Sequence, residues 1–345
     1  MKKVFLGLFT ATTILGMGCK SGGGDEAQKS KQLELAEAKA TENNAKLEKL
    51  NHDYGQMPDA RMLDNNGEKS AVYAELKVRY KTELTRLKQD VEATGAKFVM
   101  IILTPEVGSG VTNISKFGHP FIKATCAELG IECIDLSSEV GAQDPKVITQ
   151  APRDGHWSKK GAEFVANLIA PIIKKNSDAT CKATYKDSER PETFGDLPPN
   201  DDEIMDGGKD LPYHVKANAQ GVRMDYNLTF PKKKKRILLM GDSGIFCPFL
   251  DNEFTIPGVL QKTFPDYEIM NTGMICYTVD DYVSLFNEKA KYAEPDLVIL
   301  QANGGDITDL FFTNRNHLGR SHRVYVPTET ELKYYNEKLG AGLIK

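Results

Sequence analysis

The sequence predicts an α/β fold built on a doubly wound parallel sheet, and three observations predict it. Strand-length apolar runs such as Phe98 to Leu103, Ile237 to Met240 and Leu297 to Leu300 are continuous rather than alternating, which marks strands buried on both faces. Stretches of helical periodicity separate them, so helix and strand alternate through both halves of the chain. Each half has few strands, two in the first and three in the second. Apart, pieces of that size would expose sheet edges and too much apolar surface; together they make one sheet of ordinary size.

The chain begins with a targeting pattern. Lys2 and Lys3 give a charged start, and Val4 to Met17 is apolar but too short for a permanent bilayer span, so residues 1–18 read as a signal peptide. Cys19 follows Gly16, Met17 and Gly18 and precedes a flexible glycine-rich stretch, Ser21 to Gly24. This resembles a bacterial lipoprotein signal with Cys19 as the lipid-bearing residue, although Leu15 sits one place further from the cysteine than that pattern has it. An ordinary signal peptide with an incidental cysteine is the alternative. The expectation is an exported protein, held by a lipid on Cys19 at the periplasmic face of the outer membrane. Residues 19–57 form the tether, and Asp25 to Leu50 read as a charged helical spacer with few apolar positions.

The first half of the domain is assigned to 58–176. Val72, Leu76, Val78, Leu84, Leu87 and Val91 recur at helical spacing within Ala71 to Ala93. A strand follows over Lys97 to Leu103, then a helix over Phe121 to Leu129, stopped by Gly130, and a strand over Ile131 to Leu136. Lys159 to Lys175 is amphipathic, with Phe164, Val165, Leu168, Ile169 and Ile172 on the buried side. Residues 177–212 hold prolines, the acidic run Asp201 to Glu203 and Gly207-Gly208, and read as a surface linker or mobile loop. The second half, 213–345, predicts strands 236–240, 267–271 and 297–301, helices near 254–264 and 279–289, and a last helix over 329–339.

Charge and cysteines limit the function classes. A net charge of −4 argues against a general nucleic-acid binder, which needs basic surface to displace counterions. The run Lys232 to Arg236 reads instead as the solvated entry to a strand. Export implies an oxidising compartment, so Cys126, Cys133, Cys181, Cys247 and Cys276 can pair, and their odd number leaves at least one unpaired or paired between molecules. The sequence leaves open whether Cys126 faces Cys133 or Cys181. No pattern calls for a metal or cofactor, and the oligomeric state is not legible.

Two segments carry chemistry. Gly241-Asp242-Ser243 follows the apolar run ending at Met240, where a tight turn would present the serine hydroxyl at the carboxyl end of the sheet. A serine needs a base, and the base an orienting carboxylate. Asp154 and His156, separated by one residue before the helix that starts near Ser158, supply both in a geometry that aims the side chains to one side. An N-cap aspartate beside a surface histidine is the plainer alternative.

The serine segment, together with Asp154-Gly-His156-Trp157-Ser158, Asn271-Thr-Gly273 and the Asn218-Ala-Gln-Gly221-Val222-Arg223 stretch, resembles the SGNH (GDSL) hydrolase family. The resemblance covers about 58–176 and 213–345. It implies a flavodoxin-like three-layer sheet and acyl transfer through Ser243, with His156 as base and Asp154 as its partner. The expected product is a serine esterase acting on an O-acetylated cell-envelope glycan; an O-acetyltransferase on the same glycans, or a non-catalytic glycan-binding relative, are the alternatives. In the family the serine block comes first and the histidine block last. Here the order is reversed, and since neither half repeats the other's motifs, the resemblance implies one circularly permuted domain. It also implies an oxyanion hole from the Ser243 and Gly273 N–H groups and an asparagine side chain. That asparagine is displaced: the chain reads Asn303-Gly304-Gly305-Asp306, so Gly305 stands at its usual place, Asn303 is the candidate amide, and Asp306 keeps a loop-holding position. Trp157 is the candidate sugar platform, with core packing as the other reading. Cys247 and Cys276 replace family glycines in neighbouring loops and form the candidate disulfide.

Overall fold

The computed structural model describes residues 71–103, 114–205, 210–275 and 277–310. The signal peptide, Cys19, the tether and the helix expected at 329–339 lie outside them. The first described element is α1 (Ala71–Ala93), followed by β1 (Lys97–Ile102), α2 (Ile114–Leu129), β2 (Glu132–Asp135) and α3 (Lys159–Lys175). After a short antiparallel pair, β3 (Asp202–Met205) and β4 (Tyr213–Lys216), come β5 (Lys235–Met240), α4 (Ile256–Thr263), β6 (Tyr267–Asn271), α5 (Val279–Glu288) and β7 (Leu297–Ala302).

Five strands form one parallel sheet in the order β2-β1-β7-β5-β6. The join between the halves is the expected one. β1 pairs with β7 from Lys97 opposite Leu297 to Ile102 opposite Ala302. Counted from β5 through β6 and β7 and on to β1 and β2, the strands lie in the spatial order 2-1-3-4-5 of a flavodoxin-like sheet.

The pleat divides the strand residues between two apolar cores. Phe98, Met100, Ile102, Leu238, Met240, Val298 and Leu300 face one side and pack under α1, α2 and α5. Val99, Ile101, Ile237, Leu239, Ile269 and Ile299 face the other, under α3 and α4. Continuous apolar strands are the consequence of these two covered faces. α1 is tied to the second half by Arg79, which pairs with Asp280 and reaches the Leu310 carbonyl.

The amino ends of three strands meet at Asp296, which is 2% exposed. Its carboxylate accepts the Arg236 N–H at 2.8 Å, the Cys181 N–H at 2.8 Å and the Lys232 ammonium at 2.8 Å. Its carbonyl accepts the Lys97 N–H at 3.0 Å. The basic run is therefore not a solvated entry throughout. Arg236 is fully buried, donating to Glu268 at 2.5 Å and to the Ala293 and Thr229 carbonyls, because the strand start lies under the 290–296 turn.

The segment read as a linker is also built into the domain. Phe194 is buried, its N–H donates to the Gln220 carbonyl at 2.7 Å, and Asp196 accepts from Tyr277 Oη at 2.8 Å and Lys289 Nζ at 2.5 Å. Polar composition concealed this, since the segment is anchored by hydrogen bonds and scattered side chains such as Phe194, Tyr185 and Leu197 rather than by an apolar run.

Removing the Asp296 carboxylate leaves the Arg236 and Cys181 N–H groups and an ammonium without their acceptor. Asp296→Ala is expected to lower stability by about 3 kcal/mol. Urea unfolding checks this, and tryptophan fluorescence and circular dichroism should fall in one coincident transition if both halves share one core.

Candidate active site

β5 ends at Met240, and Gly241 and Asp242 lead into a single helical turn over Ser243–Phe246. Gly241 is required there, because a Cβ would lie 2.6 Å from both Gln301 Oε1 and Ile245 Cγ1. Asp242 caps the turn, its Oδ1 accepting the Gly244 N–H at 2.7 Å. Burial holds the Asp242 carboxyl above the usual range, opposed by the Gly244 N–H, the nearby His156 and a hydrogen bond from Gln301. Ser243 itself is half-buried, and its N–H makes no hydrogen bond to a described residue.

The Asp154–His156 segment sits on a closed loop. The Gln150 N–H donates to the His156 carbonyl at 2.8 Å, the Ser158 N–H to the Ile148 carbonyl at 3.0 Å, and Thr149 forms a bridge with Trp157. Ser158 then caps α3 by accepting the Gly161 N–H at 3.1 Å. Asp154 Oδ1 takes the His156 N–H at 2.9 Å and also meets His156 Nδ1. A carboxylate only accepts, so Nδ1 carries the proton and Nε2 is left as the basic nitrogen.

Trp157 joins the two segments. Its Nε1 donates to the Gly244 carbonyl at 2.9 Å, which seats the residue after His156 against the residue after Ser243. The ring is buried in the apolar core under α3 and α4, so Trp157 presents no platform to solvent. Its role as a sugar surface is corrected to that of a clamp. No hydrogen bond links Ser243 Oγ to His156 in this structure.

The three expected oxyanion donors fare differently. The Ser243 N–H stands free, as noted. The Gly273 N–H is engaged by Asn271 Oδ1 at 3.1 Å, so its hydrogen is already committed. Glycine is needed at 273 for a different reason: a Cβ would come 2.4 Å from Phe246 N, so the loop after β6 could not press on the Ser243 turn. Asn303 lies beside that turn, its Nδ2 donating to Asp242 Oδ2 at 2.6 Å. Its loop is closed by the Gly305 N–H on Asn303 Oδ1 at 2.7 Å and by the Asn303 N–H on Asp306 Oδ2 at 3.1 Å. Asp306 thus holds the loop, as its position implied.

Two residues carry structural roles that the sequence did not assign. Arg223 is buried beneath the loop after Ser243. Its guanidinium donates to Leu250 O at 2.5 Å, Cys247 O at 3.3 Å, Asn252 Oδ1 at 2.9 Å and also to Phe246 O. Burial lowers its pKa to about 10, which still leaves it charged at neutral pH. Gln301, near the end of β7, lies against the turn at Gly241 and Gly244, and its buried Oε1 has no hydrogen-bond partner among the described residues. The signal for Gln301 was its polarity inside a wholly apolar strand.

Cys247 is a buried free thiol, with its Sγ donating to the Gly244 carbonyl at 3.4 Å. Burial pushes its pKa up to about 12, which keeps it protonated and unreactive. It is thus not in the expected disulfide, and its candidate partner Cys276 lies outside the described residues. Cys126, Cys133 and Cys181 are also free thiols.

No family model matches the chain, and no curated protein sequence matches it. Among solved structures it is similar to the O-acetyltransferase domain of Pseudomonas putida AlgJ, at 13% identity and a TM-score of 0.45 over 78% of this chain and 93% of that one. It is also similar to Pseudomonas aeruginosa AlgX, at 16% identity and 0.37 over 73% and 63% of the two chains. A third is Bacillus cereus PatB1 with a sulfonyl adduct, at 11% identity and 0.34 over 68% and 89%.

Arg223→Lys is expected to destabilise the protein by about 2 to 3 kcal/mol, because an ammonium cannot reach acceptors spread around a planar fork. Urea unfolding measures it. Gly273→Ala is expected to displace the nucleophile turn, so that Ser243 loses reactivity toward a fluorophosphonate probe, read by mass spectrometry, while the protein stays folded by circular dichroism.

Proposed function

We propose that this protein is a serine esterase that removes O-acetyl groups from a cell-envelope glycan through an acyl-Ser243 intermediate. The observation that carries the reading is the Asp154–His156 pair fastened to the nucleophile turn by the Trp157–Gly244 hydrogen bond. An aspartate-oriented imidazole beside a half-buried serine that follows a buried strand is suited to acyl transfer.

In this reading Ser243 Oγ attacks the acetyl carbonyl and its proton passes to His156 Nε2. The ester C–O bond breaks, and the imidazolium returns the proton to the departing sugar oxygen. Water then attacks the acyl-enzyme by the same route, releasing acetate and restoring Ser243. Asp154 keeps the imidazole in the required tautomer and stabilises its charged form. The Ser243–His156 bond forms with substrate in place, since such bonds are often loose in free enzymes. The glycan substrate, the lipid anchor on Cys19 and the permuted order of an SGNH domain belong to the same proposal, supported by the motifs and by the strand order.

Hydrolysis of 4-nitrophenyl acetate by the purified protein tests it. Ser243→Ala and His156→Ala are each expected to bring turnover to background, a loss on the order of a thousandfold or more. Acetate released from an O-acetylated glycan marks the esterase; acetyl found on an added sugar acceptor marks a transferase. Activity unaffected by Ser243→Ala would leave a glycan-binding protein as the better account.

A further inference from the structure

We infer that Asp242 is a positioning residue that builds a two-donor oxyanion site from the Ser243 N–H and Asn303 Nδ2, with Gly273 outside it. The inference rests on the acyl-Ser243 reading and adds the residue that assembles the hole. Asp242 divides its carboxylate between two loops. Oδ1 accepts the Gly244 N–H at 2.7 Å, which fixes the turn that leaves the Ser243 N–H without an internal acceptor. Oδ2 accepts one hydrogen of Asn303 Nδ2 at 2.6 Å. The other end of that amide is fixed as well, since Asn303 Oδ1 takes the Gly305 N–H at 2.7 Å. An amide held at both ends cannot rotate, and its second Nδ2 hydrogen has no acceptor among the described residues. That hydrogen and the Ser243 N–H are the two donors left beside the nucleophile, because the Gly273 N–H is spent on Asn271. Such donors, set before the reaction, are worth most where charge develops in the transition state.

Asp242→Asn separates this role from general support of the turn. The variant keeps one side-chain oxygen, and the fixed Gly244 N–H claims it. The new amide nitrogen then faces Asn303 Nδ2, donor against donor, and the Asn303 contact is lost. With 4-nitrophenyl acetate, Asn303→Ala is expected to lower kcat by about a hundredfold or more, with KM within about twofold. Asp242→Asn should lower kcat by roughly tenfold or more, again at nearly constant KM. The double variant should be no slower than Asn303→Ala within about twofold, since Asp242 acts through Asn303. Multiplying losses in the double variant, or parent-level kcat in Asp242→Asn, overturns the inference. If Asp242→Asn does not fold by circular dichroism, Asn303→Ala decides alone: parent-level kcat overturns the inference, and a kcat loss at constant KM sustains it. Activity that survives Ser243→Ala defeats the esterase reading itself and is recognised separately.

Discussion

The pairing of β1 with β7 is the contact on which the rest of the structure depends. β7 is buried along its whole length and takes β5 of the second half on one edge and β1 of the first half on the other. Without β1, its six residues would present an unpaired edge beside two apolar faces, and the first half would hold only a two-stranded ribbon. Parallel pairing also sets direction. All five strands point the same way, so the loops after β5, β6 and β7 emerge at one rim, where open α/β sheets gather their chemistry. Asp154 and His156 come from the loop before α3 instead. They reach the rim because that loop is closed on itself and because Trp157 plants its indole under the nucleophile turn.

The loop after Ser243 buries Ile245, Phe246 and Leu250 and is also held by polar contacts. Cys247 and Phe249 both adopt left-handed backbone conformations, with φ of 57° and 66°. Such residues cost on the order of 1 kcal/mol each when they are not glycine. The conformation turns the carbonyls of 246, 247 and 250 inward onto one guanidinium. Arg223 also lies over the Phe246 ring, 4.5 Å from its centroid, so its charge is met by carbonyl dipoles and an aromatic face. A buried cation with this many acceptors fixes a loop shape that an apolar residue of similar size would leave undefined.

What the sequence disclosed follows from the length scale of each interaction. The strands were legible to within a residue or two because burial on both faces forces continuous apolar runs, as in Leu297 to Leu300. Helices α1 and α3 were legible because they bury one face only. The serine and histidine segments were found by motif, and the structure sets them side by side. Partners distant in the chain were not legible. Nothing local marks Trp157 as a clamp for Gly244, because an exposed and a buried tryptophan look alike in a loop. Gly273 looked like a donor, whereas its lack of a side chain matters for the approach to Phe246 N. Segment 183–205 looked like a linker because hydrogen bonds to Gln220, Tyr277 and Lys289 leave no hydrophobic period to read.

The position of Asn303 beside Asp242 has a packing cause. The Asn303–Asp306 loop passes over α2 at Gly118, where a Cβ would meet the Gly304 carbonyl oxygen at 2.4 Å and the Gly304 Cα at 2.6 Å. Two glycine backbones therefore touch at this crossing. Contact at this distance fixes Gly304, and the turn is closed by Asp306 on one side and Asn303 Oδ1 on the other. A turn of this shape points residue 303 toward Asp242 and uses the N–H of residue 305 inside the loop. The amide beside Asp242 is then that of Asn303. The approach of α2, a first-half helix, to a second-half loop thus selects which residue faces the Ser243 turn, and the joining of the two halves shapes this region as well as the sheet.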